Sequence, residues 1–424
     1  MKYTKIIVFC ALMSPLSMIA SLLDDYTNRT FMFTRPVYDS VGIQQSSWHD
    51  IVYKKQKNGF ACQIYSIYEQ SFSNLDNPAY FFFGGLNNLV VAAGSTSTFS
   101  TPDSDPAVAP PMVDNPMEGQ MYVPSFNRDV LGQWLGITSG NPLNFTINPE
   151  QKQACVVFEF SQDLNKMVNH ALFENWFINI AIPVTWMENN LNPQGDPVVT
   201  AAFDNTDFFA VRMSPGEMTS VGVTQVAISL GTRYMSDADT HVISTTGVII
   251  PLFSQPCNSS LFVPVQGFNS HFGLDTNVFF QFPIAQKHEY SKSKILFFLD
   301  VHNNFLARNH QLRTFDIRNK PFSRYMLFLD RVTNSIIPAM NALTIRARVE
   351  PFMITNMATG FRFKHNDSFG EIGYELWAHG AERVTPEPKT EFHEDPCNVW
   401  QDDRYGFAFI NADGQLAEIN METG

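Results

Sequence analysis

The chain has 424 residues, a formal net charge of −13 and 38 phenylalanines; 44% of its residues are hydrophobic and only 16% are charged. This apolar content excludes wholesale disorder, and the length allows one large domain or two to three ordinary ones. The acidic balance argues against nucleic acid as a partner, because phosphate binding requires a basic footprint.

The N-terminus has the layout of a secretory signal peptide. Lys2 and Lys5 precede an apolar core at residues 6–13, and cleavage is expected near Ala20, so that residues 1–20 are removed. The apolar core is too short to span a bilayer as a helix, and no later stretch reaches the roughly 18 apolar residues of a transmembrane helix. The mature chain is therefore a secreted protein or a membrane protein built from strands. We expect residues 21–58 to form an N-terminal periplasmic or plug segment.

From residue 59 to residue 424 the dominant pattern is an alternation of apolar and polar residues, which is typical of β-strands. The clearest alternating segments are 153–161, 224–234, 271–282, 293–303, 342–350, 360–365 and 369–378. Segment 160–176 is the best candidate for a short helix or a turn. Two long breaks in this pattern, near residues 94–126 and 385–403, predict surface loops, of which the first is long enough to cover a cavity.

Segment 173–188 poses the main question about the fold. Trp176 and Trp186 end a run of even-numbered apolar residues, while the odd-numbered side is half polar. Ten residues at about 3.3 Å each, tilted by about 45°, span roughly 23 Å, which is close to the apolar band of an outer-membrane barrel. Pro183 conflicts with a regular strand because proline cannot donate to the ladder, so it predicts a bulge or a strand end near the rim.

Two architectures explain many alternating strands. In a soluble sandwich the apolar face packs on a second sheet, whereas in a membrane barrel it meets lipid and the polar face lines a lumen. Strands of about ten residues and apolar faces that end in aromatic residues favour the barrel, because sandwich strands average about five or six residues. The fold class predicted is all-β, a transmembrane antiparallel β-barrel with about 12–14 strands in this chain.

After signal cleavage four widely spaced cysteines remain, Cys62, Cys155, Cys257 and Cys397. Their spacing fits no zinc site, and four cysteines allow three pairings, between which the sequence does not choose.

Residues 368–384, with the motif Gly373–Trp377, together with residues 313–351, resemble a family of predicted outer-membrane β-barrel (porin-like) proteins from intracellular Gram-negative bacteria. The similarity runs in order from about residue 150 to 384. It implies a signal peptide, a single barrel, a pore or transport role and no catalytic residues. Outer-membrane barrels commonly finish on a strand with a terminal aromatic residue, whereas this chain ends at Gly424. We therefore expect either that the last strands are missing or that the terminal signal is atypical.

A second resemblance concerns residues 76–80, Asp-Asn-Pro-Ala-Tyr. This segment resembles the Asn-Pro-Ala signature near the N-terminal hatch of long-chain fatty-acid transport barrels, although it also fits an ordinary turn. It implies a path for a hydrophobic ligand.

The sequence contains no catalytic or nucleotide-binding fingerprint, so we expect no enzyme, no cofactor and no metal site. The strongest chemical pattern is electrostatic: basic and acidic residues lie on the polar faces of neighbouring predicted strands. Opposed ladders of such charges across a lumen would filter solutes by charge, or would form salt bridges that fill it. The candidate pore-lining residues are Asp300, His302, Arg346, Arg348, Glu350, Arg362, Lys364, Glu371 and Glu375, and the candidate membrane-interface aromatics are Trp176 and Trp186.

These features predict a bacterial outer-membrane channel for the passive passage of small polar solutes. The expected partners are membrane lipid, the barrel-assembly machinery and a small-molecule solute, and a homo-oligomer is compatible with this interpretation. A transporter barrel for hydrophobic substrates and a secreted soluble β-sandwich of the surface are the alternatives.

Overall fold

The computed structural model describes residues 35–39, 48, 59–71, 89–92, 130–137, 143–205, 208, 212–213, 216–234, 240–252, 260–286, 293–315, 323–330, 332, 335–365, 368–387, 405–410 and 416–418. The expected signal peptide, the 94–126 loop, residues 76–80, most of the 385–403 loop, Cys257 and Cys397 lie outside these ranges.

The described residues form mostly antiparallel β-structure. The strands are β1 (Phe60–Gln70), β2 (Leu89–Ala92), β3 (Val130–Leu131), β4 (Leu143–Ile147), β5 (Glu150–Asp163), β6 (Trp176–Asn190), β7 (Pro193–Gly195), β8 (Met218–Val223), β9 (Gln225–Tyr234), β10 (His241–Pro251), β11 (Gly273–Gln286), β12 (Ser293–Leu306), β13 (Asn309–Thr314), β14 (Leu327–Asp330), β15 (Ser335–Pro338), β16 (Thr344–Glu350), β17 (Ile354–His365), β18 (Ser368–His379), β19 (Arg383–Pro386), β20 (Tyr405–Ile410) and β21 (Leu416–Glu418). The α-helices are α1 (Leu164–Val168), α2 (Pro197–Phe203) and α3 (Ala339–Leu343), and 3-10 turns occupy Val37–Asp39, Gly132–Leu135, Ala171–Phe173 and Ser323–Tyr325. No helix among the described residues is long and apolar enough to cross a membrane.

A single antiparallel sheet of ten strands dominates the structure. Its order is β1-β5-β6-β9-β10-β11-β12-β17-β18, with β8 also paired to β6, and it curls into a half-barrel. The alternation predicted from the sequence is confirmed in these strands, since burial also alternates from residue to residue, as in β1 and β5. The short helix or turn predicted over residues 160–176 contains α1, which lies between β5 and β6.

The connections of the main sheet differ between its two ends. Four connections join strands at one end, residues 164–175, 235–240, 287–292 and 366–367, and we call this the short-connection end. Four longer stretches leave from the opposite end, residues 71–149, 191–224, 252–272 and 307–353, and we call this the long-connection end. The long-connection end therefore carries most of the additional structure.

Pro183 marks a break in the pairing of β6, as the sequence predicted, but the break lies inside the strand rather than near a rim. On one side β6 pairs with β9 up to Ala181 and with β8 from Val184. The two residues between these points, Ile182 and Pro183, face three residues of the partner, 224–226, so the ladder contains a bulge. The carbonyl of Pro183 accepts a hydrogen bond from the N–H of Thr224, at 3.2 Å, on the same side. The N–H group that proline lacks would therefore have been directed at this bulge, where the ladder is already interrupted.

Three smaller sheets and a conventional apolar core are formed by the long connections together with strands that follow β18. The sheets are β13-β16-β19, β15-β14-β20-β21 and β3-β2-β4-β7. Buried side chains such as Phe145, Phe203, Tyr325, Phe328 and Met340 form one cluster there. This region therefore packs like an ordinary globular domain.

The described strands are divided among several sheets. The main sheet has ten strands among the described residues, fewer than the 12–14 predicted. One reason is β16, whose clean alternation suggested a strand of the same barrel. Its partners are β13 and β19 instead.

Candidate functional site in the interior of the curled sheet

The two faces of the main sheet have opposite character. Large apolar side chains are exposed on one face, and they come from nearly every strand: Phe60, Ile64, Tyr68, Val156, Phe160, Trp176, Val221, Val223, Ile228, Leu230, Tyr234, Ile250, Leu274, Phe305, Phe361, Phe363, Ile372 and Tyr374. The other face holds buried polar groups: Gln153, Glu159, Ser161, Asp163, Thr185, Asn189, Gln225, Ser229, Arg233, His241, Thr245, Asn277, Gln281, Asp300, Asn304, Asn356 and Arg362. Residues alternate between the two faces because successive Cβ atoms of a strand point to opposite sides.

Residues 35–39, which precede β1, lie against the polar face. The carbonyl of Arg35 accepts a hydrogen bond from Gln153 of β5 at 3.1 Å, and the hydroxyl of Tyr38 donates to Gln225 of β9 at 2.8 Å. The guanidinium of Arg35 pairs with Glu375 of β18. A segment of five residues can touch the second and the last strands of the sheet together only from its concave side. The polar face is therefore the concave one, and residues 35–39 occupy its interior.

Asp39 is the most connected residue of this segment. Its carboxylate accepts a hydrogen bond from Trp377 Nε1 at 2.8 Å and lies 3.7 Å from His302 Nδ1. Its carbonyl accepts hydrogen bonds from Arg35, at 3.0 Å, and from Asn356. Burial raises the pKa of the Asp39 carboxyl above its ordinary value, although His302, Trp377 and Arg35 act in the opposite direction.

His302 lies between two carboxylates. Its Nε2 contacts Asp275 Oδ1, while its Nδ1 faces Asp39. Two carboxylates within ion-pair distance of one imidazole stabilise a positive charge on it. The triplet therefore contains one cation for two carboxylates.

Two further ion pairs lie on the concave face. Arg362 contacts Glu371 and donates to Gln281 Oε1 at 3.0 Å, and its guanidinium lies 5.3 Å from the centre of the Phe369 ring. Arg233 lies 2.6 Å from Asp163. Removing one member of such a buried pair leaves an uncompensated charge, which costs about 3–5 kcal/mol.

Aromatic packing requires a small residue beside the Arg233–Asp163 pair. The guanidinium of Arg233 lies 4.7 Å from the centre of the Phe177 ring. A Cβ atom on Gly231 would stand 2.1 Å from the same ring, so no larger residue fits beneath it. The small residues expected on a crowded face thus have a steric role here.

An apolar cluster interrupts the polar interior. Phe177, Ile243, Phe279 and Phe298 form its main part, and Trp48 packs into it with only 3% of its surface exposed. Trp48 precedes β1, as residues 35–39 do. A second part of the N-terminal region therefore lies inside the curled sheet.

A cavity of about 90 Å³ remains between residues 35–39 and the sheet. Its polar lining includes Asp39, Glu159, Asn179, Asp275, Asn277, His302 and Asn304. Three of these residues carry carboxylates and only His302 supplies a positive charge, so the lining is acidic overall.

Six of the nine predicted pore-lining residues lie on the concave face of the main sheet, and three lie elsewhere. The six are Asp300, His302, Arg362, Lys364, Glu371 and Glu375, of which Lys364 is near the end of β17. Arg346, Arg348 and Glu350 belong to β16 in the three-stranded sheet. There Arg346 lies 3.5 Å from Glu387, and Arg348 lies 3.0 Å from Glu350. The expected continuous ladder of charges across both groups is therefore not formed.

Trp176 and Trp186 both lie on the convex face of β6, ten positions apart. Trp176 is the first residue of the strand and pairs with Thr232. Trp186 pairs with Ala154 and Val221, inside the strand rather than at its last residue.

Sequence reasoning missed the residues that enter from outside the main sheet. Arg35, Asp39 and Trp48 lie in a region without strand periodicity, and no local signal pairs them with partners hundreds of positions away. Arg233 and Asp163 are different, because their positions in the alternation of β9 and β5 already indicate the polar face.

The two described cysteines are free. Cys62 lies on the exposed convex side of β1, and Cys155 is buried on the concave side of β5. Opposite faces exclude a bond between them. Among the described residues no group of three or more His, Cys, Asp and Glu side chains could hold a metal ion.

Comparisons with known proteins leave the family open. No protein-family model matches this chain, and no curated protein matches it.

Proposed function

We propose that this chain is an outer-membrane β-barrel protein of a bacterium and that it passes small polar solutes through its polar interior. The observation that carries this proposal is the inverted polarity of the main sheet. Large apolar side chains are exposed on the convex face, while paired charges and amides are buried on the concave face. A soluble protein rarely exposes so extended an apolar surface, whereas lipid would cover it.

The connections support the same orientation in a membrane. Outer-membrane barrels have short turns at the periplasmic end and longer loops at the extracellular end. The short connections at one end of the main sheet and the long ones at the other follow that rule. The short-connection end, where β1 begins, would then face the periplasm.

The strand lengths are also suited to a bilayer. The strands of the main sheet other than β8 have 10 to 15 residues, as in β9 and β6, and a membrane-crossing strand needs about 9–11. Trp176 and Trp186 would lie near the two interfaces, where indole rings are favoured.

A barrel in lipid also requires that the outer edges of β1 and β18 be paired, since unpaired backbone groups are costly in hydrocarbon. Within the described part of the chain neither edge has a second partner. Both strands run from the short-connection end to the long-connection end. The proposal therefore requires that these edges pair with each other in parallel, with a further strand, or with a second copy of the chain.

The N-terminal residues inside the sheet restrict the proposed path. Residues 35–39 are bound to β5, β9, β12, β17 and β18, and Trp48 fills the apolar cluster. The proposed channel is therefore narrow, and its conductance is set by this plug segment rather than by the width of the sheet.

A second candidate function is the transport of a hydrophobic substrate. The cluster of Trp48, Phe177, Ile243, Phe279 and Phe298 supports it, because these apolar side chains lie within an otherwise polar interior. A fatty-acid-sized ligand would displace Trp48. Quenching of Trp48 fluorescence by a brominated fatty acid, compared with a Trp48→Phe variant, would distinguish this function from passage of polar solutes.

Two measurements test the leading proposal. The full chain is refolded with lipid vesicles, and its migration on a detergent gel is compared before and after boiling. A folded barrel inserts into the vesicles and migrates differently from the boiled chain. A soluble sandwich would instead remain in the supernatant after the vesicles are removed. Ion conductance in planar bilayers then tests passage. A vesicle-inserted protein without conductance would exclude the channel but not the membrane fold.

A further inference from the structure

The cavity between residues 35–39 and the sheet has more acceptor atoms than the protein satisfies. Asp39 Oδ1, Asn179 Oδ1 and Asn277 Oδ1 have no hydrogen-bonding partner among the described residues, and neither side-chain atom of Asn304 has one. Asp39, Asn277 and Asn304 are 3%, 5% and 1% exposed. Buried polar atoms are almost always paired, so a cluster of unpaired ones around one cavity indicates that something polar occupies it.

The chemistry of the lining selects the charge of the occupant. The unpaired atoms are mostly oxygens, which accept hydrogen bonds or bind hard cations. Three carboxylates, on Asp39, Glu159 and Asp275, face the cavity with one imidazole, that of His302. Asp39 and Asp275 together already outnumber this imidazole, so the lining is negative even when His302 is protonated, and it would repel an anion.

The number and type of ligands select a monovalent cation over a divalent one. Calcium is bound by six to eight oxygens, including several carboxylates. Here neutral amides supply most of the unpaired acceptors, and the described residues contain no cluster that could hold a metal ion in the manner of a divalent site. The imidazole of His302 also opposes the approach of a doubly charged ion.

We propose that this cavity binds a small monovalent cation of the alkali-metal or ammonium type, held by Asp39, Asn179, Asn277 and Asn304. This inference deepens the proposed function, on which it rests for its role in transport: it names small cations as the class of polar solute that the channel favours. The cavity of about 90 Å³ has room for the ion together with a few waters.

The test uses radioactive rubidium as the probe and the full chain folded in detergent. Flow dialysis is expected to show one saturable site, from which ammonium and potassium displace rubidium. Asn304→Leu is expected to weaken rubidium binding by about tenfold or more, because a bond to a charged group is lost. Asn303→Leu is the matched control, since Asn303 neighbours Asn304 on the opposite face of β12. Circular dichroism checks that both variants are folded.

The outcomes separate this inference from the proposed function. Absence of saturable rubidium binding by the folded protein would overturn the inference, because water alone would then fill the cavity. Equal binding of rubidium by both variants would also overturn it. Asp275→Asn provides a second test: it leaves an amide in place of the carboxylate and should weaken binding while preserving the fold. Binding without conductance would keep the cation site and exclude the channel. Conductance without rubidium binding would keep the channel and exclude the cation site.

Discussion

Replacing Ile228 by lysine tests which solvent covers the convex face of the main sheet. Ile228 lies on β9 opposite Ile180 of β6, which is near the middle of the span between Trp176 and Trp186. Its side chain is 39% exposed and contributes nothing to the buried core. In water the substitution Ile228→Lys would change the free energy of unfolding by about 0.5 kcal/mol or less. At the centre of a bilayer a lysine costs about 2–4 kcal/mol.

The bilayer cost of about 2–4 kcal/mol corresponds to roughly a 30- to 700-fold change in the folding equilibrium, since each 1.4 kcal/mol is about tenfold. The free energy of unfolding is measured by urea titration in lipid vesicles, with gel migration reporting the folded fraction. Leu312→Lys is the matched control, because Leu312 is 54% exposed on β13 outside the main sheet. Tyr234→Lys, at the end of β9, tests depth and should cost only about 0–1 kcal/mol. Equal effects of the lysines at positions 228 and 312 would refute the membrane orientation.

Three further predictions concern packing, the bulge and pH. Gly231→Ala should destabilise the fold by about 1–3 kcal/mol, because its Cβ would overlap the Phe177 ring, and the added Phe177→Leu change should recover part of this loss in urea titrations. Pro183→Ala should change stability by less than about 1 kcal/mol, whereas Ala181→Pro should cost about 1–3 kcal/mol, because only the latter position lies in an intact ladder; similar urea midpoints for the two variants would contradict this. Burial lowers the pKa of His271, so the unfolded chain takes up a proton at higher pH than the folded chain. Stability linked to this residue is therefore present above pH 6.5 and is lost as the pH falls below it, and His271→Asn should flatten the decline of the urea midpoint between about pH 7 and pH 5.

Features that depend on residues close in the sequence could be predicted, whereas features that depend on contacts distant in the sequence could not. The alternation in β5, β9, β12, β17 and β18 was readable because a strand places successive side chains on opposite faces, whatever the strand pairs with. The same rule assigned Arg362, Glu371 and Glu375 to the polar face. Pro183 could be recognised as a break because the missing N–H is a local property.

Other features depend on contacts that are distant in sequence. β16 alternates as cleanly as the strands of the main sheet, so its periodicity could not show that it pairs with β13 and β19. Because β16 belongs to a different sheet, Arg346 and Arg348 do not lie in the candidate site. The register that places β8 and β9 in turn against β6 is likewise set by pairing and not by local propensity.

The amino-acid sequence by itself determined the strands, their two faces and the positions of most charges on those faces, because these follow from a period of two residues. Only the tertiary structure decided which face is concave and what fills it. Arg35 meets Glu375 and Asp39 meets His302 because the sheet curls around residues 35–39. The curvature of the sheet brings together residues that are hundreds of positions apart in the sequence, and no local sequence pattern indicates these contacts.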